Sequence, residues 1–407
     1  MIEFPKDFLW GSTTAAYQVE GDNSNSDWWE WEKTKPGIAS SGAACRHYQL
    51  FREDFNLAKS LGHNSHRLSL EWARIQPEPD KFSQSEIDHY IQVIDHLRSL
   101  GIEPIVTLHH FTNPLWLSKI GGWENPQAIQ YFLEYAGKIV KSFSGRVKYW
   151  VTVNEPMVYT YYSYLVGEWP PQKKSPVTAN KVANNLVDAH IRSYRLIHSF
   201  YKENKLSPPM VSIAQNMIAF IACQKSLRNN LAVYLRNRLF NFRLINLLYR
   251  KRCLDFIGMN YYTRHLVDTR RWSLWELLGN TCAKKHDTLP KNSLGWEIYP
   301  QGLYYLLMGL KKYRLPVFIL ENGICCQDDN QRWDYIREHL KKVHAAMANG
   351  VNVIGYLYWS LLDNFEWDKG FAPRFGLCAI DYSDYKRTPR DSARKLAQVA
   401  STGLLEE

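Results

Sequence analysis

Residues 149–156 of this 407-residue chain read YWVTVNEP, and this stretch decides how the rest of the sequence is interpreted. Its apolar first half is typical of a buried strand, and Glu155 is the first acidic group after it. The stretch PVFIL at 316–320 repeats the pattern, because Glu321 follows it directly. A carboxylate at the carboxyl end of a parallel strand faces the end of an α/β fold where ligands bind. Two such glutamates predict a pair with divided roles, one an acid and the other a nucleophile or base.

Eight short apolar stretches predict strands, and helical patterns separate them. The predicted strands are 8–10, 66–70, 104–108, 149–153, 210–214, 256–259, 317–320 and 353–358, and the predicted helices include 53–58, 87–100, 128–143, 179–203, 301–312 and 334–347. Eight strands that each precede a helix or a long excursion predict an α/β fold, a single-domain (β/α)8 TIM barrel over residues 1–407. A doubly wound sheet would alternate in the same way. However, residues 11–14 after the first strand read GSTT, which is not a phosphate-binding GxGxxG turn.

The composition is that of an ordinary globular protein with an excess of aromatic residues. The chain is 45% hydrophobic and 22% charged, with 15 Trp and 25 Tyr. The aromatic residues either fill a large core or line a site for flat, partly apolar ligands such as sugars. No stretch approaches the roughly 18 apolar residues that span a bilayer, and residues 1–5 lack the features of a signal peptide. The seven cysteines show neither a disulfide framework nor a zinc-ligand pattern, which favours a reduced, cytoplasmic setting and no metal.

The net charge of +10 is concentrated in residues 221–271, where eleven Lys or Arg face two acidic residues, an excess of nine. This basic segment has partly amphipathic helical spacing, so it could contact an anionic membrane surface or nucleic acid. The alternative is a solvated helix that packs on the barrel through Leu235, Leu239, Phe242 and Leu247. We expect the alternative, with a structural segment remote from the chemistry, no nucleic-acid partner and no membrane association.

Polar and aromatic side chains follow each predicted strand. In strand order they are Gln18 and Glu20; Glu71, Trp72 and Arg74; His109 and His110; Asn154 and Glu155; Gln215 and Asn216; Asn260, Tyr261 and Tyr262; Glu321 and Asn322; and Trp359, Asp363, Asn364, Glu366 and Trp367. Because the carboxyl ends of all eight strands meet at one face of a barrel, we expect these side chains to lie together.

Six regions of the chain resemble glycoside hydrolase family 1, the retaining β-glycosidases, in family order along essentially the whole sequence. They are FLWG at 8–11 with AAYQVEG at 15–21, RLSLEWARI at 67–75, TVNEP at 152–156, DFIGMNYY at 255–262, ILENG at 319–323 and WSLLDNFEW at 359–367. The resemblance implies a TIM barrel that needs no cofactor and acts on a small-molecule β-glycoside. The chain departs from the family between strands five and six, where Asn216 to Asp255 spans only 40 positions. This shortening leaves the oligomeric state open.

Carried over position by position, the resemblance implies Glu155 as the general acid/base and Glu321 as the nucleophile. Arg67 and Tyr262 resemble the residues that support the ionised nucleophile. The positions that resemble substrate-binding residues are Gln18, His110, Asn154, Asn260, Tyr262, Trp296, Trp359, Glu366, Trp367 and Phe375, with Trp296 on the leaving-group side.

Two alternatives to a β-glucosidase come from the same family. A catalytically silent sugar-binding barrel would lack one of the two carboxylates, and both are present. A 6-phospho-β-glycosidase would hold phosphate near the eighth strand, where Glu366 would repel it. We therefore expect hydrolysis of plain β-glucosides or related β-glycosides.

Overall fold

Eight parallel strands close into a barrel in this computed structural model, which describes residues 1–270, 280–281 and 289–406. Labelled in chain order, they are β1 Leu9–Thr13, β2 Ser65–Ser69, β3 Glu103–His109, β4 Tyr149–Asn154, β5 Met210–Ala222, β6 Ile257–Asp268, β7 Val317–Asn322 and β8 Val353–Trp359. Each strand pairs in parallel with the next, and β8 pairs with β1 to close the ring. The predicted TIM barrel is confirmed.

Helices and short turns connect the strands and cover the outside of the barrel. The described α-helices are Ala16–Val19, Asp27–Lys33, His47–Ser60, Trp72–Ile75, Gln84–Ser99, Leu115–Lys119, Gln127–Phe143, Pro156–Thr160, Pro176–Glu203, Leu227–Arg236, Arg243–Arg250, Pro300–Leu310, Asp329–Ala348 and Asp391–Thr402. Two π-helical turns (Tyr161–Leu165 and Asn237–Phe242) and three 3-10 turns (Gly122–Glu124, Lys311–Tyr313 and Trp367–Lys369) complete them. Capping residues in the sequence mark where helices begin and end. For example, Ser83 caps the helix Gln84–Ser99 by accepting from the Glu86 amide, and Gly101 follows that helix with a left-handed φ of 68°.

Strands β5 and β6 run much further than the predicted stretches 210–214 and 256–259. Beyond the barrel they continue to pair with each other, as Ala219–Ala222 pair with Arg264–Val267. A bulge lies where Met217 pairs with Tyr261 and Ala219 with Arg264, so that Ile218 lies opposite two residues of β6. Three two-stranded pairings are peripheral: Ile2–Glu3 with Leu404–Leu405, Cys378–Ile380 with Arg387–Pro389, and Asn280–Thr281 with the end of β6.

Successive side chains of each strand point alternately into the barrel and outward to the helices, so the core has an inner and an outer layer. The barrel interior holds an apolar cluster that includes Ile105, Tyr149, Val151, Phe318 and Leu320. Trp150, between two interior residues of β4, points outward, and its indole N–H donates to the Tyr201 hydroxyl on helix Pro176–Glu203 at 3.1 Å. The interior cluster forms an apolar floor, above which the side chains at the strand ends are buried.

The basic segment packs on the barrel, and the predicted stripe contributes only in part: Leu235, Leu239 and Phe242 are half-buried, and Phe242 packs against the core. Leu244, Ile245 and Leu248 are buried, whereas Leu247 is 39% exposed. The prediction for Leu247 is therefore wrong, because it lies at the margin of the helix face that the other three residues bury. Arg271, the last residue of the segment, lies outside the described residues.

The cysteines only partly match the expectation of a reduced chain. Cys45, Cys253, Cys325, Cys326 and Cys378 are free and buried. Cys223, at the start of the basic segment, is disulfide-bonded. None of the helices in the described ranges has both the length and the apolar character needed to cross a bilayer.

Candidate active site

Glu155 and Glu321 lie at the carboxyl end of the barrel within one buried polar network. Glu321 belongs to β7, and Glu155 directly follows β4. The side chains are nearly inaccessible, with 7% exposure for Glu155 and 4% for Glu321. Buried carboxyl groups need partners that satisfy their oxygens, and the partners of these two glutamates differ.

Glu321 is held by a cation and a phenol. Arg67 Nη1 lies 2.5 Å from Glu321 Oε1, and the Tyr262 hydroxyl donates to Oε2 at 2.6 Å. Arg67 is itself fully buried and is oriented by two further bonds, from Nε to Thr107 Oγ1 at 2.9 Å and from Nη2 to Asn154 Oδ1 at 2.7 Å. Burial and the neighbouring Glu321 charge hold the pKa of Tyr262 well above its usual value, so the phenol keeps its proton and donates. These contacts favour the ionised form of Glu321.

Glu155 is held by two neutral amides. Asn260 Nδ2 donates to its Oε1 at 2.8 Å and Asn216 Nδ2 donates to the same oxygen at 3.0 Å. Burial, together with the negative charge of Glu321, raises the pKa of Glu155 to about 8, and the two amide donors oppose this rise. The carboxyl is therefore protonated near neutral pH, which is what a general acid requires.

The backbone at Glu155 is strained. Its φ of 41° lies in the left-handed region, which non-glycine residues rarely adopt, and Pro156 starts the next helix directly after it. Such strain persists where the surrounding structure over-determines it, and it concentrates at functional sites.

Gln18 and His110 carry buried polar atoms that no group in the described residues satisfies. Gln18 Nε2 donates to Glu366 Oε2 at 3.1 Å, while its Oε1 is buried without a partner in that part of the chain. Asn154 Nδ2 lies 3.1 Å from His110 Nε2 and can only donate, so the neutral imidazole carries its proton on Nδ1, which is also buried and unpartnered. Burial, reinforced by the Arg67 charge, holds the pKa of His110 well below its usual value and keeps the ring neutral. One acceptor and one donor are thus available to sugar hydroxyls.

Aromatic rings enclose these polar groups. The His110 ring lies 6.1 Å from Trp359 and 6.0 Å from Trp367, and both tryptophans are buried. On the other side Tyr262, Trp296 and Phe375 form a group with ring centroids 5.8 to 6.3 Å apart. Trp296, at 37% exposure, is its outermost member. Flat faces of this kind suit the apolar face of a sugar ring or of its aglycone.

Glu366 adds a third carboxyl to the site. It lies between Gln18 and Trp359, each of which donates to it, and burial with the Glu321 charge raises its pKa to about 8. The structure therefore brings together every residue that the sequence proposed for the site. Other strand-end residues lie elsewhere. Glu20 accepts from Arg74 at 3.0 Å and from Tyr90 at 2.7 Å, so the expectation that all strand-end side chains share one cluster is wrong for Glu20 and Arg74.

Asn216 and Thr107 were not among the proposed site residues. Asn216 follows the fifth predicted strand in sequence, so its position gave a signal, but its bond to Glu155 did not follow from that position. Thr107 lies inside β3 and orients Arg67, a role that no local pattern indicates. Among the described residues, no group of three or more His, Cys, Asp or Glu is placed to hold a metal ion.

Comparisons with known proteins agree with this geometry. The profile of the family described as "Glycosyl hydrolase family 1" matches residues 1–243 and 229–403. The chain belongs to this family. It is 33% identical to a 1,4-beta-D-glucan glucohydrolase of Thermotoga neapolitana, over 96% of this chain and 97% of the relative. It is 32% identical to beta-glucosidase A of Thermotoga maritima, over 100% and 99% of the two chains.

Solved structures of family members match over the same extent. The beta-glycosidase from Pyrococcus horikoshii superposes with a TM-score of 0.93 and is 37% identical, covering 100% of this chain and 96% of that one. The beta-glucosidase from Thermotoga maritima in complex with glucoimidazole superposes with a TM-score of 0.91 at 32% identity, covering 99% and 100%. This family member is thus a glycosidase, and the predicted family, fold and enzyme class are confirmed.

Proposed function

We propose that this glycosidase hydrolyses β-linked glucosides and related non-phosphorylated β-glycosides by double displacement, with net retention of configuration. Glu321 is the nucleophile and Glu155 the general acid/base. The observation that carries the proposal is the contrast between two buried carboxyls at one end of the barrel. A guanidinium and a phenol favour the anion of Glu321, while burial and that anion keep Glu155 protonated. A buried carboxyl that keeps its proton can act as the acid, and a neighbouring carboxyl held by a cation can act as the nucleophile.

In the first step, a Glu321 oxygen attacks the anomeric carbon while the bond to the leaving-group oxygen breaks. The proton of Glu155 passes to that oxygen, so the aglycone leaves as a neutral alcohol. In the second step, water attacks the anomeric carbon of the glycosyl ester and gives its proton to Glu155, which releases the sugar and the Glu321 carboxylate. Two inversions give retention.

Gln18, His110, Asn154 and Glu366 are proposed to bind the hydroxyls of the sugar, with Asn260 and Tyr262 beside the reacting atoms. The buried Gln18 Oε1 and His110 Nδ1–H support this proposal, because each offers a bond that the described protein groups leave unused. Trp359 and Trp367 enclose the sugar, and Phe375 with Trp296 lies toward the aglycone. The names of the relatives, beta-glucosidase and 1,4-beta-D-glucan glucohydrolase, favour glucosides.

The whole chain acts as one catalytic domain, with the excursion between β5 and β6 as part of it. The predicted cytoplasmic setting remains a proposal that rests on composition.

A 2-fluoro-β-glucoside with a good leaving group tests the mechanism. The Glu321 carboxylate should displace the leaving group and form a stable 2-fluoroglycosyl ester, and peptide mass spectrometry should find this label on the peptide containing Glu321. With an ordinary aryl β-glucoside, NMR should detect the β-anomer of glucose first. Label on another residue, or the α-anomer as first product, would refute the assignment. Hydrolysis of the 6-phosphorylated substrate at a rate equal to the plain one would refute the substrate class.

A further inference from the structure

The basic segment reaches Glu155 through a short chain of contacts. Its central π-helical turn, Asn237–Phe242, lies against β5 on both sides of Asn216. On one side Gln215 Nε2 donates to the Phe240 carbonyl at 3.1 Å. On the other side the Ile218 amide donates to Asn241 Oδ1 at 3.0 Å, and Asn241 Nδ2 donates to the Ile218 carbonyl at 2.8 Å. Asn216, which donates to Glu155, therefore lies between two residues of β5 that are hydrogen-bonded to the same π-helical turn.

The Asn241 side chain makes the two hydrogen bonds to the backbone of Ile218 that a neighbouring strand would otherwise make. Ile218 lies at the bulge where the β5–β6 pairing shifts register, and a side-chain amide bonds to both its N–H and its C=O. Asn241 is fully buried, and its Nδ2 also donates to Asn237 Oδ1 at 2.8 Å, which fixes the orientation of the amide. A buried amide whose oxygen and nitrogen are both hydrogen-bonded holds the two strands in one register at the bulge. Turns of π-helix recur at functional sites.

The two donors to Glu155 select which of its oxygens carries the proton. Asn216 and Asn260 pair directly across β5 and β6, and both donate to Oε1. An Oε1–H would face two N–H groups, so the acid form keeps its proton on Oε2. Among the residues described here, no donor is directed at Oε2. Both amides also stabilise the anion that forms once the proton has left.

We propose that Asn241 is a positioning residue for the acid/base glutamate, because it holds Ile218 of β5 opposite the β6 bulge and thereby keeps Asn216 on Glu155 Oε1, so that Oε2 delivers the proton. The proposal rests on the proposed role of Glu155. It reverses the expectation that the basic segment is remote from the chemistry.

The test compares pH profiles for two substrates. The kcat/KM of an alkyl β-glucoside, which needs a proton on its leaving group, is divided by that of a dinitrophenyl β-glucoside, which does not. The basic limb of this ratio follows the protonation of Glu155 alone. Asn216→Ala removes one donor to the anion and should move the limb to higher pH by up to about one unit. Asn241→Ala should move it in the same direction and lower the ratio near neutral pH.

A double variant and a matched control separate positioning from general destabilisation. If Asn241 acts through Asn216, then Asn216→Ala with Asn241→Ala should shift the limb no further than Asn216→Ala alone. Asn229→Ala is the control, because Asn229 is another buried asparagine of the same segment. It donates to the Gln224 carbonyl at 3.0 Å and accepts from the Thr269 amide at 3.0 Å, outside the bracket around Asn216. It should lower the melting temperature without moving the limb.

Three results would each overturn the proposal. They are additive shifts in the double variant, a basic limb of the kcat/KM ratio that does not move in Asn241→Ala, and an equal shift of that limb in Asn229→Ala. If Asn241→Ala does not fold, Asn237→Ala takes its place, since it removes one acceptor of the Asn241 amide and should shift the limb less in the same direction. An unmoved limb there also overturns the proposal. A parent enzyme with no difference between the two substrates would instead contradict the role of Glu155 and hence the proposed function.

Discussion

Glu155 and Glu321 lie at the same end of one barrel, and both are almost fully buried, but their contacts differ in charge. Glu321 contacts the Arg67 guanidinium, whereas Glu155 contacts two neutral amides. A buried cation compensates a carboxylate, so Glu321 can remain ionised without water. Neutral donors compensate only in part, and burial with the nearby anion then decides the protonation of Glu155. The donor set, rather than the residue type, therefore distinguishes the two carboxyls.

The largest effect is expected from Glu321→Gln. The amide keeps the shape of the side chain but cannot form the glycosyl ester, so kcat should fall by at least about 10⁵-fold. The variant also leaves Arg67 without its anion, and for this reason circular dichroism and melting temperature must accompany the assay. Substantial activity in a folded variant would show that another group attacks the sugar.

A smaller, substrate-dependent loss is expected from Glu155→Ala. Alkyl β-glucosides, whose leaving groups need a proton, should lose about 10³-fold in kcat/KM, while dinitrophenyl β-glucosides should lose far less in the first step. Added azide should restore turnover in the second step and give the β-glycosyl azide, because it attacks the ester without needing a base. An α-azide as the product would contradict double displacement at this site.

The basic limb of the pH dependence of kcat/KM should follow Glu155 and not Glu321. Burial and the Glu321 charge raise the pKa of Glu155 to about 8, and the first step needs its protonated form. As pH rises through about 8 that form is lost, so kcat/KM for an alkyl β-glucoside should fall about tenfold per unit above it. Glu366 also has its pKa raised to about 8, mainly by burial, and it is one of the groups proposed to bind the sugar. A basic limb of equal size with the dinitrophenyl substrate would therefore assign the titration to Glu366 instead.

The parts that the sequence predicted are those that local patterns determine. Glu155 and Glu321 follow apolar stretches that became β4 and β7, and six of the eight strands lie close to their predicted limits. The role of Arg67 came from the family resemblance, because its bond to Glu321 joins residues 254 positions apart. Spacing along the chain carries no information on such a pair.

The parts that were missed depend on contacts between distant elements. β5 and β6 extend beyond the barrel because they pair with each other, and neither stretch alone shows this. Asn216 was recognised as a strand-end residue, but its direction depends on the bulge and on Asn241. The basic segment was expected to be a helical stretch that packs on the barrel, remote from the chemistry. In the structure its outer helix, Leu227–Arg236, exposes Leu227 and Leu231, whereas its π-helical turn is hydrogen-bonded to β5.

The smallest effect is expected on that outer surface. Arg228, Arg238 and Arg243 are exposed, and replacing all three by Gln should leave kcat/KM for an aryl β-glucoside within about threefold of the parent. Exposed charges act weakly beyond the Debye length of about 8 Å at physiological ionic strength, and none of these side chains belongs to the network around Glu155. Arg236 is left unchanged because it is buried, with its guanidinium 5.6 Å from the Phe220 ring. Its replacement would disturb packing as well as charge. A tenfold or greater loss of kcat/KM with an unchanged melting temperature would mean that the surface charge of the segment, and not only its asparagine contacts, acts on the two glutamates.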